Sequence, residues 1–280
     1  MGIQRLRDTS RVTDGDKSGS AGGLHSVACA LDILRMFSVD HPTLGITEAA
    51  NHLHIAKSTA HRLMGTLMQA GFLYQNPRTR RYHLGIAVLG LSGIMTADSD
   101  VWMAAAPYLT ELTMKTGEAS HLAVLDGLHV VYLHKVESTH PVKILTHLGR
   151  RNPSHATSSG KLLLAYADPR LVEEVVNHGL DQFTKTTITD PAQLRMELQD
   201  IRQKGFAVSH EELREQVTSI SAPVFNHHGR VVAAVNIVAP SSRLSPANVE
   251  PRVRAVCTTA HQIARDLGYR PPCGSTRSGE

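Results

Sequence analysis

Ile46-Thr47-Glu48-Ala49-Ala50-Asn51-His52-Leu53-His54-Ile55-Ala56-Lys57-Ser58-Thr59-Ala60-His61-Arg62-Leu63 is the stretch whose reading decides the fold. Ile46, Ala49, Ala50 and Leu53 recur at helical spacing and predict a short helix over 46–53. His54-Ile55-Ala56 forms a tight turn. A second helix is predicted from Lys57 to Ala70, with Leu63, Leu67 and Ala70 inward and Gly71 placed to end it in the left-handed conformation. Two helices joined by such a turn make a helix-turn-helix, whose second helix offers its first residues to the DNA major groove. Lys57, Ser58, Thr59, His61 and Arg62 crowd those first turns and supply donors for phosphate and base edges. The amides of the helix N-terminus suit a phosphate as well.

Val27, Leu31, Leu34 and Phe37 predict a preceding helix over 26–38, stopped by Asp40-His41-Pro42. Downstream, residues 72–75 and 81–84 alternate as strands around Asn76-Pro77-Arg78-Thr79-Arg80, a breaker-rich turn. Arg78, Arg80 and Arg81 form a second basic cluster, and a wing of this kind runs along the backbone or enters a minor groove. Tyr74 and Tyr82 are expected to brace it. Residues 25–85 therefore read as a winged helix-turn-helix. The charge agrees, since residues 1–95 hold 10 basic and 6 acidic side chains while residues 96–280 hold 19 of each. A basic head on a neutral body suits a polyanion partner.

Residues 1–23 lack an apolar pattern and read as a disordered arm ahead of a head over 24–85. Residues 86–116 look helical with a break near 98–100, so 86–100 is taken as a linker helix. An α/β region over 101–270 follows, then a flexible tail over 271–280. Strands are expected near 119–125, 129–136, 142–146, 206–209, 218–225 and 231–238, the first two joined by the tight turn Asp126-Gly127. Helices are expected near 160–167, 169–178, 191–204 and 246–267, with Asp190-Pro191 and Ser245-Pro246 as N-cap and first helical residue. Hydrophobic residues are 41% of the chain and aromatics only 4%, so the cores should be aliphatic. No segment approaches the roughly 18 apolar residues of a membrane span. Arg5, Arg7 and Arg11 stand where a secretory leader would be apolar, so no membrane partner and a cytoplasmic location are expected. Three scattered cysteines indicate neither a disulfide framework nor a zinc knuckle, and no cofactor is called for.

The quoted run, with Gly71-Phe72-Leu73 and Arg81-Tyr82-His83-Leu84-Gly85, resembles the IclR family of transcriptional regulators. The second half agrees in order through Thr116-Gly117-Glu118, Leu122-Ala123-Val124-Leu125, His155-Ala156-Thr157-Ser158-Ser159-Gly160-Lys161, Gly205-Phe206-Ala207 and Ala222-Pro223-Val224-Phe225. The likeness covers about residues 25–268. It implies an α+β protein: an N-terminal winged helix-turn-helix joined by a helical linker to a GAF/PAS-like α/β effector-binding domain. It also implies assembly as a homodimer or homotetramer on a palindromic, double-stranded DNA operator. The family's turn usually carries glycine at position 54 and proline at 56; histidine tolerates positive φ, so the turn should survive.

The resemblance also implies an effector pocket. Ser158, Ser159 and Gly160 open a helix where small residues let backbone N–H groups approach an anion. Members that bind small oxo-acids such as glyoxylate complete this pocket with an aspartate, a cysteine and two serines; here those positions are Ser209, Ser219, Asn236 and Val238. The remaining polar set is smaller and uncharged, and a tiny acid would leave polar groups unpaired. A larger organic acid, with an aromatic or apolar body and one carboxylate-like end, is expected as effector.

Other readings are open to the residues. His155 with Ser158 or Ser159 could be taken for the base and nucleophile of a hydrolase, although no GxSxG elbow is present. His52-x-His54 and His227-His228 could be taken for a metal sensor, although neither pair has an evident third ligand. Repression and activation use the same architecture, and repression is the more frequent in the family.

Overall fold

The computed structural model describes residues 24–270, except 39, 98, 143, 145, 246 and 247. The arm over 1–23, the tail over 271–280 and Cys273 lie outside the described residues. The chain divides into two compact units with the boundary between residues 98 and 99.

The first unit holds α1 (His25–Arg35), α2 (Ile46–His52), α3 (Lys57–Gln69), the hairpin of β1 (Leu73–Gln75) and β2 (Tyr82–Leu84), and α4 (Ile86–Ala97). Its core is Ile33, Leu44, Ala49, Met64, Leu73 and Tyr82. Leu44 bridges to Tyr82 in antiparallel fashion, so the segment before α2 lies along the wing. Gly71 ends α3 at φ +77°. α1 stops at Arg35, three residues before the expected end.

The second unit begins with α5 (Asp100–Thr116), capped by Ser99. A six-stranded antiparallel sheet follows, in the order β5 (Arg151–Pro153), β4 (His129–Val136), β3 (Ala119–Asp126), β8 (Val231–Pro240), β7 (Val217–Phe225) and β6 (Ala207–His210). No described residue of the expected strand at 142–146 is in a strand, and Arg151–Pro153 pairs with β4. α6 (Ser158–Ala165), α7 (Pro169–His178) and α8 (Pro191–Lys204) lie between β5 and β6 in the chain, and α9 (Val249–Asp266) follows β8. Asp190 caps α8 by accepting from the Gln193 amide. The Ser245-Pro246 cap falls partly outside the described residues, and the described helix starts at Val249 after Asn248.

Strand alternation sorts the sheet into two buried faces. Leu122, Ile220, Ala222, Val224, Ala233, Val235 and Ile237 pack against α5 and α9. Ala123, Tyr132, Ala207 and Ala234 pack against α6 and α8 on the other face. Ser209, Ser219, Asn236 and Val238 share the parity of this second face. A buried Glu118, gripped by both arms of Arg243 at 2.6 and 2.8 Å, ties the start of β3 to the segment after β8.

Candidate DNA-reading face and effector site

The helix-turn-helix is built as a rigid turn between two short helices. Ile55 N donates to Ala50 O at 3.0 Å, and His54 takes the left-handed conformation at φ +52°. Histidine thus does what glycine would do there. α3 buries Ala60 and Met64 and leaves Lys57, Ser58, Thr59, His61 and Arg62 exposed on the opposite side. Ala56 offers no side-chain cap, so the first amides of α3 are not consumed by one and remain suited to a phosphate.

In the wing, Asn76 Oδ1 accepts from the amides of Arg78 and Thr79, and Arg80 sits at φ +57°. Arg78 and Arg80 are exposed at the tip. Arg81 behaves differently from the expected backbone contact. Its guanidinium donates to Thr43 Oγ1 at 2.6 Å, Thr43 O at 2.9 Å and Glu48 Oε2 at 2.9 Å, binding the wing to the start of α2. Of the two tyrosines, Tyr82 is in the core and Tyr74 stacks on His83 with ring centroids 4.9 Å apart.

In the second unit, the register sets two rows across the face covered by α6. Ser209, Ser219 and Val238 pair in line across β6, β7 and β8; Ser221, Asn236 and His121 pair in line across β7, β8 and β3. Ser158 and Ser159, at the start of α6, meet both rows. Ser158 Oγ donates to Ser219 Oγ at 2.7 Å and lies 2.7 Å from Ser221 Oγ; Ser159 Oγ lies 3.0 Å from Ser221 Oγ. Asn236 Nδ2 donates to Ser159 Oγ at 2.7 Å, and Asn236 Oδ1 lies 2.8 Å from His121 Nδ1. His121 Nε2 lies 2.7 Å from Thr146 Oγ1, and its ring stacks on Tyr132 at 4.4 Å. Burial pushes His121 down to about 3, so its imidazole is neutral.

Three sequence expectations change here. Gly160 is fixed by packing: a Cβ at that position would lie inside the backbone of Ser154, so glycine is required for the close approach of α6 to the preceding turn. Its amide is taken by the Thr157 hydroxyl, which caps the helix. Ser209 turns away from the hydroxyl cluster: it contacts Ala156 O at 3.4 Å and hydrogen-bonds the Glu212 carboxyl. The site is also not without charge nearby. Lys161, which is 1% exposed, donates to Glu212 Oε1 at 2.7 Å and Glu197 Oε1 at 2.8 Å. Burial pushes the Glu212 carboxyl up, and its Oε2 has no partner.

Sequence reasoning missed Ser221, His121, Tyr132 and Thr146. Ser219-x-Ser221 carried the signal for the first, since alternate strand residues share a face; the others depend on cross-strand register. The hydrolase reading fails on geometry, because His155 Nε2 is bonded to Asp181 O and its ring packs against Phe183. Among the described residues, no group of three or more His, Cys, Asp or Glu side chains is placed to hold a metal ion. No helix among them is long and apolar enough to cross a membrane.

An exposed recognition helix with a basic wing, on a chain whose second unit encloses a polar cluster between sheet and helix, defines a DNA-binding regulator with a ligand domain. Residues 26–77 match the IclR helix-turn-helix domain, and residues 95–265 match the C-terminal domain of IclR bacterial transcriptional regulators. The chain belongs to the IclR family, and it is a ligand-responsive transcriptional regulator, not an enzyme. It is 32% identical over 247 residues to the HTH-type transcriptional regulator XynR of Escherichia coli K12, covering 88% of this chain and 98% of that protein. It is 30% identical over 251 residues to the HTH-type transcriptional repressor AllR of Salmonella paratyphi A, covering 89% and 92%. An IclR homolog from Microbacterium hydrocarbonoxydans, solved in complex with 4-hydroxybenzoate, superposes with a TM-score of 0.78 at 28% identity, covering 87% and 99%.

Proposed function

We propose that this protein is a repressor that binds a palindromic operator as a homodimer or a dimer of dimers and is switched by an organic acid. The observation that carries the DNA half is the exposed face of α3, where five polar or basic residues stand free above the buried Ala60 and Met64. Lys57 through Arg62 read the major groove, and Arg78 and Arg80 hold phosphate or the minor groove; Arg81 braces the wing.

α4 supports self-association. It carries Ile86, Leu89, Leu91, Ile94 and Met95, all exposed, and buries none of its residues. A helix apolar all round requires a partner, and a second copy of α4 supplies one whose two-fold symmetry matches a palindrome. The cluster of Ser158, Ser159, Ser219, Ser221 and Asn236, with Val238 beside it, is the effector site. A larger acid suits it better than glyoxylate, because Val238 adds apolar surface beside the hydroxyls and matches an apolar body. The repressor AllR among the relatives favours repression. Effector binding repacks the 160–238 region and changes the spacing of the paired heads, and loss of one half-site contact costs several kcal/mol of specific affinity.

Footprinting on the upstream region of the protein's own gene, with and without added 4-hydroxybenzoate, tests the proposal. Two protected half-sites about one helical turn apart are expected; protection without half-site symmetry would overturn the dimeric reading.

A further inference from the structure

Taken together, the hydrogen bonds of the effector face have a direction. A carboxamide nitrogen only donates, and Asn236 Nδ2 points at Ser159 Oγ at 2.7 Å, so Asn236 Oδ1 faces His121 and must receive a proton from Nδ1. A neutral imidazole carries one N–H, so Nε2 is bare and accepts from the Thr146 hydroxyl at 2.7 Å. Ser158 spends its one proton on Ser219, so Ser221 donates to Ser158, and with that proton used Ser221 receives from Ser159. The chain runs one way: Thr146, His121, Asn236, Ser159, Ser221, Ser158, Ser219.

Its two ends therefore have opposite chemistry. At the Ser219 end the hydroxyl proton is the donor not consumed within the chain, and that end takes an acceptor, such as a carboxylate. At the His121 end the imidazole nitrogen accepts and requires a hydroxyl donor, whether from Thr146 or from a ligand replacing it. Ser219 and His121 stand two strands apart across the sheet and two residues apart along it. Their Cα atoms are therefore roughly 12 Å apart, so a ligand engaging both ends carries its hydroxyl several ångströms from its carboxylate.

Resting on the assignment of this face as the effector site, the geometry points to His121 as its specificity-determining residue. The effector is then a hydroxylated carboxylic acid, its carboxylate at Ser219 and its hydroxyl donating to His121 Nε2. The side chain is fully buried and stacked on Tyr132, so its accepting nitrogen is held in place. An acid with a methyl group in place of the hydroxyl fills the same space and leaves Nε2 without a donor. Oxo-acids of two or three carbons are too short to reach both ends.

Isothermal titration of the full-length protein with 4-hydroxybenzoate, 4-methylbenzoate, D-gluconate and glyoxylate tests this. The wild type is expected to bind at least one of the two hydroxy acids, and to prefer 4-hydroxybenzoate or D-gluconate at least tenfold over 4-methylbenzoate and glyoxylate. His121→Phe, which keeps the stacking and loses the acceptor, should bring the preference over 4-methylbenzoate close to unity. His121→Gln, which retains a donor and an acceptor, should restore part of it and serves if the phenylalanine variant does not fold. Ser158→Ala should weaken every acid that binds by a similar factor. An unchanged preference in both His121 variants overturns the specificity role while leaving the site in place. If Ser158→Ala leaves all affinities unchanged, the site assignment itself fails. Equal or tighter binding of glyoxylate, or no binding of either hydroxy acid, overturns the ligand class.

Discussion

Replacing Lys161 by methionine keeps the unbranched stem and removes one ammonium from a buried position of the second unit. The side chain is 1% exposed and donates to Glu212, Glu197 and Val208 O. Glu197 keeps 31% of its side chain in water and can be resolvated, whereas Glu212 keeps 7%. Breaking a buried pair on one side costs about 3–5 kcal/mol. With only one of the two carboxylates stranded, the lower end, about 3 kcal/mol, is expected. Glu212→Gln alone should cost about 1 kcal/mol, and adding it to Lys161→Met should recover roughly 2 kcal/mol, because the stranded charge is gone. The pH dependence has a definite sign. Burial raises the folded pKa of Glu212 above that of the unfolded chain, so the native state holds the extra proton and stability falls as pH rises out of the glutamate range. Losing Lys161 enlarges that shift, and the deficit of Lys161→Met should be smaller at pH 5 than at pH 8. Trp102 is the sole tryptophan of the chain and packs against the core of this unit, so its fluorescence in urea reports this transition directly. A deficit under about 1 kcal/mol, or one that neither falls at pH 5 nor is recovered by Glu212→Gln, would refute the argument.

His121 should leave its own mark on acid stability. With its folded pKa near 3 against an ordinary value of 6.5, the unfolded chain takes the proton first. The contribution is therefore complete above pH 6.5 and is lost at about 1.4 kcal/mol per pH unit below it, and His121→Gln should lack that component when urea midpoints are compared. On the head, Arg78→Ala and Arg80→Ala should each lower the slope of log affinity against log salt by about 0.9, read by fluorescence anisotropy on operator DNA. Arg81→Ala should leave that slope unchanged and lower the melting temperature of the head, through the lost bonds to Thr43 and Glu48. Leu89→Asp with Ile94→Asp should convert the assembly to monomer in light scattering, because an apolar interface cannot hold unpaired carboxylates. Gly160→Ala should cost about 1–3 kcal/mol by overpacking against the Ser154 backbone, with no dependence on which acid is added.

The head was legible because its determinants are local. Helical spacing placed Ala49, Ala50 and Leu53 on one side of a turn and Leu63 and Leu67 on one side of the next helix, and the exposed residues of α3 follow from that geometry alone. Arg81 escaped for the opposite reason: its partners Thr43 and Glu48 lie more than 30 residues earlier, and nothing in the wing distinguishes it from Arg78 and Arg80. The effector face shows the same division. Ser219 and Ser221 can be put on one face by strand alternation. Whether Asn236 or Val238 stands opposite Ser221 depends on the register of β7 against β8, and a slip of one residue would turn the other parity inward. His121 needs a second register, β3 against β8, before it joins the row at all. The packing role of Gly160 was hidden because a small residue at a helix start is compatible with an anion or with a neighbouring backbone, and the approach of Ser154 depends on the folded chain. Charge was misjudged on the same grounds. Counting the residues at the four sheet positions left the pocket neutral, while the Lys161–Glu212 pair is assembled from α6 and the segment after β6, 51 residues apart in the chain. Local patterns thus specified the part that touches DNA, whereas ligand choice rests on contacts between strands and helices distant in sequence.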